Sequence, residues 1–185
     1  NPMKLALQNR TGFVDTAYFH LQVGETGENV PYGPDAYGYV CFDDSDEDWD
    51  ITPQYDWIEI ALEERVRDFD GVACNFDGRS EQDIGESQVV DLGFTTRFYG
   101  YDYEQITITS NGYITPGAQE RAINFQNWPM DRGIGGGAGM IAPFWDWLEM
   151  NGDAAVYYYY DEADARFIVE WYQLEHYSVG RDDLT

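Results

Sequence analysis

Basic residues are scarce in this chain: its 185 residues include 10 lysines and arginines against 35 aspartates and glutamates, and the formal net charge is −25. A nucleic-acid-binding protein needs a basic face that displaces counterions from phosphates, so the composition excludes nucleic acid as a partner. Anionic membrane surfaces would repel the chain, and no stretch reaches the ~18 apolar residues of a membrane span. We therefore expect neither nucleic-acid binding nor membrane insertion.

Recognisable catalytic motifs are also missing. There is no His-Glu-x-x-His zinc motif and no Gly-x-Ser-x-Gly nucleophile motif, and the only two histidines are His20 and His176. The glycine-rich stretch 133–139 lacks the Lys-Ser/Thr pair of a phosphate-binding loop and is interpreted as a surface loop. We predict that the protein is not an enzyme. A carboxylate pair of the kind that glycan-acting hydrolases use stays open as an alternative.

Cysteine is nearly absent, with only Cys41 and Cys74. They could form one disulfide in an oxidising compartment, or they could be two thiols that behave as small apolar residues. The sequence does not give the distance between them, so both interpretations stay open.

The chain is rich in aromatic residues, which make up 17% of it and include 15 tyrosines, and it has 19 glycines. This composition favours strands and turns, and helical periodicity is weak, with at most a turn or two at 60–69. Alternating or β-rich patterns predict strands at 13–23, 35–42, 55–62, 140–148, 155–160 and 166–172, and two or three more within 88–117. We predict an all-β fold, a β-sandwich with long acidic and Gly-rich loops and little helix.

The segment CFDDSDEDWD, residues 41–50, carries six acidic side chains in the eight positions from Asp43 to Asp50. Like charges this close must stay hydrated or bind a cation, and alternating carboxylates are the hard oxygen ligands that Ca²⁺ takes in loops. The helix–loop–helix calcium motif is absent, because Trp49 and Tyr55 stand where it needs Gly and Glu. A solvated turn is the alternative. The candidate calcium ligands are Asp43, Asp44, Asp46, Asp48 and Asp50.

A second acidic pattern, DFDGVACNFDG, repeats an Asp/Asn-Phe-Asp-Gly unit seven residues apart. It suits either a calcium-binding turn or two ordinary Asp-Gly turns. Its candidate calcium ligands are Asp68, Asp70 and Asp77.

Several aromatic residues suggest a second kind of binding site, a platform on which sugar rings stack. The set comprises Trp128, Trp145, Trp147, Trp171 and Tyr157–Tyr160. Consecutive tyrosines on a strand alternate between its faces, so two of the four should point inward and two outward. We expect most of this set to pack in the core, and an outward row could bind glycans or a partner protein.

Four ordered stretches carry a family resemblance: GPDAYGYVCFDDSDEDWDITPQYDWIEI, DLGFTTRFYGYDYEQITITSNGYITPG, NWPM followed by GMIAPFWDWL, and VYYYYDEADARFIVEWYQLEHY. They resemble an accessory module of large secreted bacterial proteins, often secreted proteases or cell-surface proteins. The part from SNGYI to IAPFWDWL is also similar to the nidogen-like extracellular domain. The resemblance covers about residues 30–177 and implies a β-rich, non-catalytic module that is secreted, extracellular or at the cell surface. Cys41 departs from the pattern, so the resemblance implies no disulfide.

The resemblance also implies a domain organisation. Residues 1–30 are expected to form an N-terminal strand segment, either the end of a preceding immunoglobulin-like domain or a donor strand. Residues 31–185 are expected to form the nidogen-like β-sandwich module. Relatives usually continue with further strands, so we expect the module to be part of a longer polypeptide or to be completed by another chain.

Our functional prediction is a non-catalytic extracellular structural or adhesion module stabilised by Ca²⁺. One alternative is a subunit of an extracellular filament that assembles by strand donation, and the other is the carboxylate-dependent hydrolase. The expected partners are other copies of the chain or neighbouring domains of a longer chain, with a glycan or a surface protein as further candidates.

Overall fold

A computed structural model describes residues 2–8, 14–20, 30–76, 85–119, 125–126 and 139–177. Within these ranges every regular element is a β-strand and there is no helix, which confirms the all-β prediction. None of the described residues therefore forms a helix that could cross a membrane. The chain falls into two compact units, residues 1–56 and 57–185. The division at residue 30 that the sequence suggested stays a prediction.

The first unit contains a β-hairpin. Strands β1 (Pro2–Gln8) and β2 (Val14–His20) pair antiparallel, with Pro2 opposite His20 and Gln8 opposite Val14. The predicted strand at 13–23 is thus confirmed in its central part. Its partner β1 was missed because its Met, Lys, Leu and Ala residues are helix formers rather than strand formers.

The strand predicted at 35–42 is wrong. This region has only an isolated antiparallel bridge, in which Tyr32 and Cys41 exchange N–H to carbonyl hydrogen bonds of 2.9 and 2.8 Å. Between them, one carboxylate oxygen of Asp35 accepts the backbone N–H groups of Tyr37, Gly38 and Tyr39 at 2.8–2.9 Å. The carboxylate satisfies donors that a strand partner would otherwise satisfy, so the chain folds into a turn.

The second unit is built on two three-stranded antiparallel sheets, with strand orders β4-β5-β6 and β3-β8-β9, and a short additional pair, β7-β10. The strands are β3 (Val72–Ala73), β4 (Ser87–Phe98), β5 (Tyr101–Thr109), β6 (Ile114–Pro116), β7 (Leu148–Glu149), β8 (Ala155–Asp161), β9 (Arg166–Tyr172) and β10 (Glu175–His176). The predicted hairpin of 155–160 and 166–172 and the strands within 88–117 are confirmed.

The two three-stranded sheets pack face to face around one hydrophobic core. The buried residues of this core are Cys74, Val90, Leu92, Ile106, Ile108 and Val156. Tyr158, Val169 and Trp171 of the second sheet pack against them. The indole N–H of Trp171 also donates a 2.7 Å hydrogen bond to the carbonyl of Thr109, which ties β9 to β5. This arrangement is a β-sandwich, as the sequence predicted.

The opposite face of the β8-β9 sheet is also buried. It is overlaid by residues 57–71, which we call the covering segment. Ile60 and Ala61 are fully buried there beside Tyr157, and Ile58 and Phe69 complete the contact. Both faces of β8 are therefore packed, which is why this strand carries four consecutive tyrosines.

Two local strand predictions are corrected. Residues 55–62 are not a strand and belong largely to the covering segment, and 60–69 contains turns but no helix. Of the strand predicted at 140–148, only an isolated bridge between Ile141 and Ile114 and the two-residue β7 exist. The sequence left the state of the cysteines open, and in the structure Cys41 is an exposed free cysteine and Cys74 a buried one.

Candidate functional site

Two aspartates fold the acidic loop, residues 43–50. One carboxylate oxygen of Asp43 accepts the hydroxyl of Ser45 at 2.5 Å and its N–H at 2.8 Å, and these bonds lower the pKa of Asp43 below its usual value. Asp46 is 1% exposed and accepts the N–H of Asp43 at 2.8 Å. The hydroxyl of Thr52 donates to the carbonyls of Asp46 and Trp49. The carboxylates of Asp43 and Asp46 are thus hydrogen-bond acceptors that close a turn.

The four other acidic residues of the loop remain at the surface. Asp44, Glu47 and Asp50 line a shallow pocket of about 510 Å³, together with Trp49, Thr52, Pro53, Gln54 and Tyr55. Asp48 is exposed. Across the described residues, no group of three or more His, Cys, Asp or Glu side chains is placed to hold a metal ion. The five predicted ligands therefore share one loop without sharing one coordination centre.

The second predicted calcium cluster is dispersed. Asp68 accepts the backbone N–H of Glu59 at 2.9 Å, and Asp70 accepts the Nε of Arg67 at 2.6 Å. Asp77 lies outside the described residues. Asp68 and Asp70 therefore serve different local contacts and do not face one common point.

Most of the predicted aromatic platform is core. Tyr157 lies under the covering segment, Tyr158 lies between the sheets, and Trp145 is 8% exposed against the ring of Tyr113. Trp147 stacks on Tyr177 with ring centroids 3.8 Å apart, and Trp128 is outside the described residues. The prediction of core packing for most of this set is confirmed for those that the structure describes.

A polar groove lies on the β4-β5 hairpin. The pairing register shifts between Asp91 and Thr96, and two adjoining hollows of about 370 and 360 Å³ open there, sharing Asp91, Thr95 and Glu104 as lining residues. Asp91 accepts the side-chain amide of Gln105 at 2.8 Å, and Glu104 accepts the hydroxyl of Thr95 at 3.2 Å. The groove thus presents carboxylate, amide and hydroxyl groups, which can exchange hydrogen bonds with the hydroxyls of a neutral polar ligand.

A buried carboxyl group lies under the covering segment. Glu170 of β9 is 5% exposed, and its Oε2 accepts the N–H of Ile60 at 3.1 Å. Its side chain is also hydrogen-bonded to the Glu59 side chain, which in turn accepts the N–H of Ala61 at 2.8 Å. Burial, with the adjacent Glu59 charge as a further cause, raises the pKa of Glu170 to about 7. No described lysine or arginine forms an ion pair with Glu170.

Sequence reasoning did not single out Glu170, although one signal was available. In RFIVEWY the glutamate shares its face with Ile168 and Tyr172, so it is an acid at a covered position of an otherwise apolar strand. Such an acid should find a hydrogen-bond donor, but nothing in the sequence indicates that the donor is Ile60, 110 residues away.

The fold and these sites define an all-β, two-sheet module with surface acidic groups and one covered carboxyl pair. The model of the family described as NIDO related, that is nidogen-related, matches residues 69–184, more than half of the chain. The chain belongs to this nidogen-related family, and the predicted resemblance to nidogen-like modules is confirmed. No curated protein and no solved structure matches it significantly.

Proposed function

We propose that this chain is a non-catalytic structural or adhesion module of a secreted or cell-surface bacterial protein. Membership of the nidogen-related family over residues 69–184 carries the proposal. The position of the carboxyl pair Glu59 and Glu170 supports it, because Glu170 is 5% exposed and out of reach of a bulky substrate. The test is labelling of intact cells of the source organism with a membrane-impermeant amine reagent. Recovery of labelled chain supports the proposal, and labelling only after lysis contradicts it.

We further propose that adhesion uses the groove between β4 and β5. Its exposed acids disfavour anionic polymers, and its carboxylate, amide and hydroxyl groups can exchange hydrogen bonds with sugar hydroxyls, so we assign a neutral glycan as the ligand class. Binding of the full chain to an array of neutral glycans should be lost in the double variant Asp91→Ala/Glu104→Ala. The control variant Asp153→Asn/Glu162→Gln removes two exposed acids elsewhere and should bind as the native chain does. An array without binding by the native chain refutes the glycan as ligand.

Calcium stabilisation is the next part of the proposal. The pocket lined by Asp44, Glu47 and Asp50 offers carboxylates on a loop that Asp43 and Asp46 already hold folded. These three carboxylates are not grouped around one point in the structure, so calcium would have to draw them together on binding. A ligand that binds only the folded state at 100 times its Kd adds about 2.7 kcal/mol of stability. Calcium should therefore raise the melting temperature and a chelator should reverse the shift.

The calcium experiment has a matched control. The triple variant Asp44→Asn/Glu47→Gln/Asp50→Asn should lose the calcium-dependent shift, whereas Asp153→Asn/Glu162→Gln should keep it. A shift that persists in the triple variant would place calcium elsewhere. The absence of any shift in the native chain would remove calcium from the proposal and leave the family-based part standing.

Strand donation is the second candidate function, and a sheet edge favours it. Among the described residues β9 pairs only with β8, so its other edge presents unpaired N–H and C=O groups, and β9 has neither Lys nor Pro to protect it. The first acidic residue of the chain is Asp15, so β1, with Lys4, is free of acids in a protein of net charge −25. An acid-free β1 adds no like-charge repulsion against the acidic surface of a second copy, which supports addition of β1 from one copy to β9 of the next.

The oligomeric state tests strand donation. Sedimentation velocity of the full chain at increasing concentration should show growing assemblies. A Pro substitution at Ile168 or Val169 in β9 could unfold the sandwich, so the sharper variant is Leu5→Pro in β1, outside the family match. Assemblies that vanish in Leu5→Pro support strand donation, while a monomer at all concentrations, or assemblies that persist in this variant, contradict it.

A further inference from the structure

The covering segment is held to the β8-β9 sheet by carboxyl groups rather than by strand pairing. The N–H of Ile60 donates to Glu170 at 3.1 Å, and the hydroxyl of Tyr172 donates to Glu64 of the covering segment at 3.0 Å. Within the segment, the N–H of Gly71 donates to the carbonyl of Ile60 at 3.0 Å. Residues 57–68 precede the region that the family model matches, so most of this cover lies outside the matched region.

The surroundings of Glu170 are acidic. The ionisable groups that influence Glu170 or the two tyrosines beside it are Glu59, Glu63 and Glu64 of the covering segment, Asp153 before β8, Tyr157 of β8 and Tyr172 of β9. Arg67, on the same segment, is engaged by Asp70 and by the carbonyls of Leu62 and Glu64. An ionised Glu170 would therefore be a buried charge without a counterion.

We propose that Glu170 is a pH-sensitive latch: its protonated carboxyl group donates a hydrogen bond to the Glu59 side chain and so holds the covering segment on the β8-β9 sheet, and its ionisation sets two carboxylates against each other and lets the segment loosen. The apolar contacts of Ile60 and Ala61 with Tyr157 keep the segment in place while the carboxyl group is neutral. Loosening exposes the outer face of the sheet, which includes Tyr159 and Ile168.

The direction of the pH dependence follows from linkage. With the segment closed, the pKa of Glu170 is about 7, and in the open form the carboxyl group returns toward its ordinary value of 4.5. Opening therefore releases a proton and becomes easier as pH rises. The free energy that Glu170 contributes to keeping the segment closed is fully present below about pH 4.5, and it is lost as pH rises through about 7. Between pH 6 and pH 8 the opening equilibrium constant should rise about 10-fold.

Amide hydrogen exchange of the full chain measures this opening. After correction for intrinsic base-catalysed exchange, protection at Ile60, Ala61 and Gly71 should fall about 10-fold from pH 6 to pH 8. The amide of Cys74, which donates to the carbonyl of Val156 at 2.8 Å beside the inter-sheet core, reports global unfolding and should not follow the same pH dependence. A loss of protection equal at Cys74 and Ile60 would overturn a local latch.

Substitutions distinguish a pH-dependent role of Glu170 from a purely structural one. Glu170→Gln keeps an acceptor for Ile60 but cannot ionise, so protection at Ile60 should become independent of pH. Glu162→Gln, in the exposed β8-β9 turn, should retain the 10-fold change. If Glu170→Gln does not fold, Glu59→Gln serves, because removing the neighbouring charge should move the midpoint of the change to lower pH. The proposal fails if native protection does not vary with pH, or if the substitution that folds leaves its variation unchanged.

Discussion

Gly112 lies in the turn between β5 and β6, close to the backbone of Phe144. Replacing it tests how much this close backbone contact matters for the stability of the sandwich. Its φ is +75°, in the left-handed region that favours glycine. A Cβ at this position would overlap the carbonyl oxygen of Phe144 and lie 2.7 Å from the carbonyl carbon. The Phe144 N–H donates to the Gly112 carbonyl at 3.3 Å, so the two backbones cannot separate without losing this contact.

The expected cost of Gly112→Ala has two parts. A left-handed alanine costs about 1–2 kcal/mol, and overpacking against a fixed neighbour costs about 1–3 kcal/mol more. Gly152→Ala is the matched control, because Gly152 has φ +62° but nothing within 4 Å of its added Cβ. The control should therefore lose only the first part of the free energy of unfolding.

Urea denaturation followed by circular dichroism gives both free energies, and calorimetry gives the melting temperatures. At about 2–4 °C per kcal/mol for a chain of this size, Gly112→Ala should lower Tm by roughly 10 °C and Gly152→Ala by roughly 4 °C. Equal losses in the two variants would refute the reasoning, because only the contact with Phe144 distinguishes the two sites.

Three further measurements address the core. Ile108→Ala removes a side chain that is 0% exposed between the sheets and should lower the free energy of unfolding by about 2–5 kcal/mol in urea denaturation. Trp171→Phe deletes the indole donor to Thr109 and should cost about 1–3 kcal/mol in the same assay, since a carbonyl loses its partner; no loss would contradict an inter-sheet bond. Burial raises the pKa of Cys74 to about 12, so iodoacetamide at pH 8 should label only Cys41 in the folded chain, as read by mass spectrometry, and two labels would contradict this burial.

The β8-β9 hairpin shows what the sequence can predict. Residues 155–160 and 166–172 were predicted, and the strands span Ala155–Asp161 and Arg166–Tyr172. Branched and aromatic residues around a polar turn indicate such a hairpin from local information alone. The sequence predicted that two of its four tyrosines point inward and two outward. It did not predict that the outward-facing tyrosines are also covered, because the covering segment is distant in sequence.

That segment shows where the pattern misleads. Trp57 and Glu59 alternate with Ile58 and Ile60, as in a strand, yet no strand pairs with them in the described part of the chain. Alternation reports that one side of an extended segment is buried, and this holds equally for a segment that lies across a sheet face. What distinguishes the two is where the backbone N–H groups donate, and this depends on residues far along the chain.

In several parts of the chain, side-chain carboxylates supply the acceptors for such N–H groups. They accept backbone N–H groups at places where the chain makes no ladder, and these acceptors are Asp35, Asp43, Asp46, Glu59, Asp68, Asp161 and Glu170. Local acceptors such as Asp43 can be anticipated from Asp-Ser and Asp-Gly turn chemistry, whereas Glu170 depends on tertiary structure. Part of the acidic excess is thus used to fold loops, which also explains why an alternating aspartate pattern alone overstates the number of ligands available to a cation.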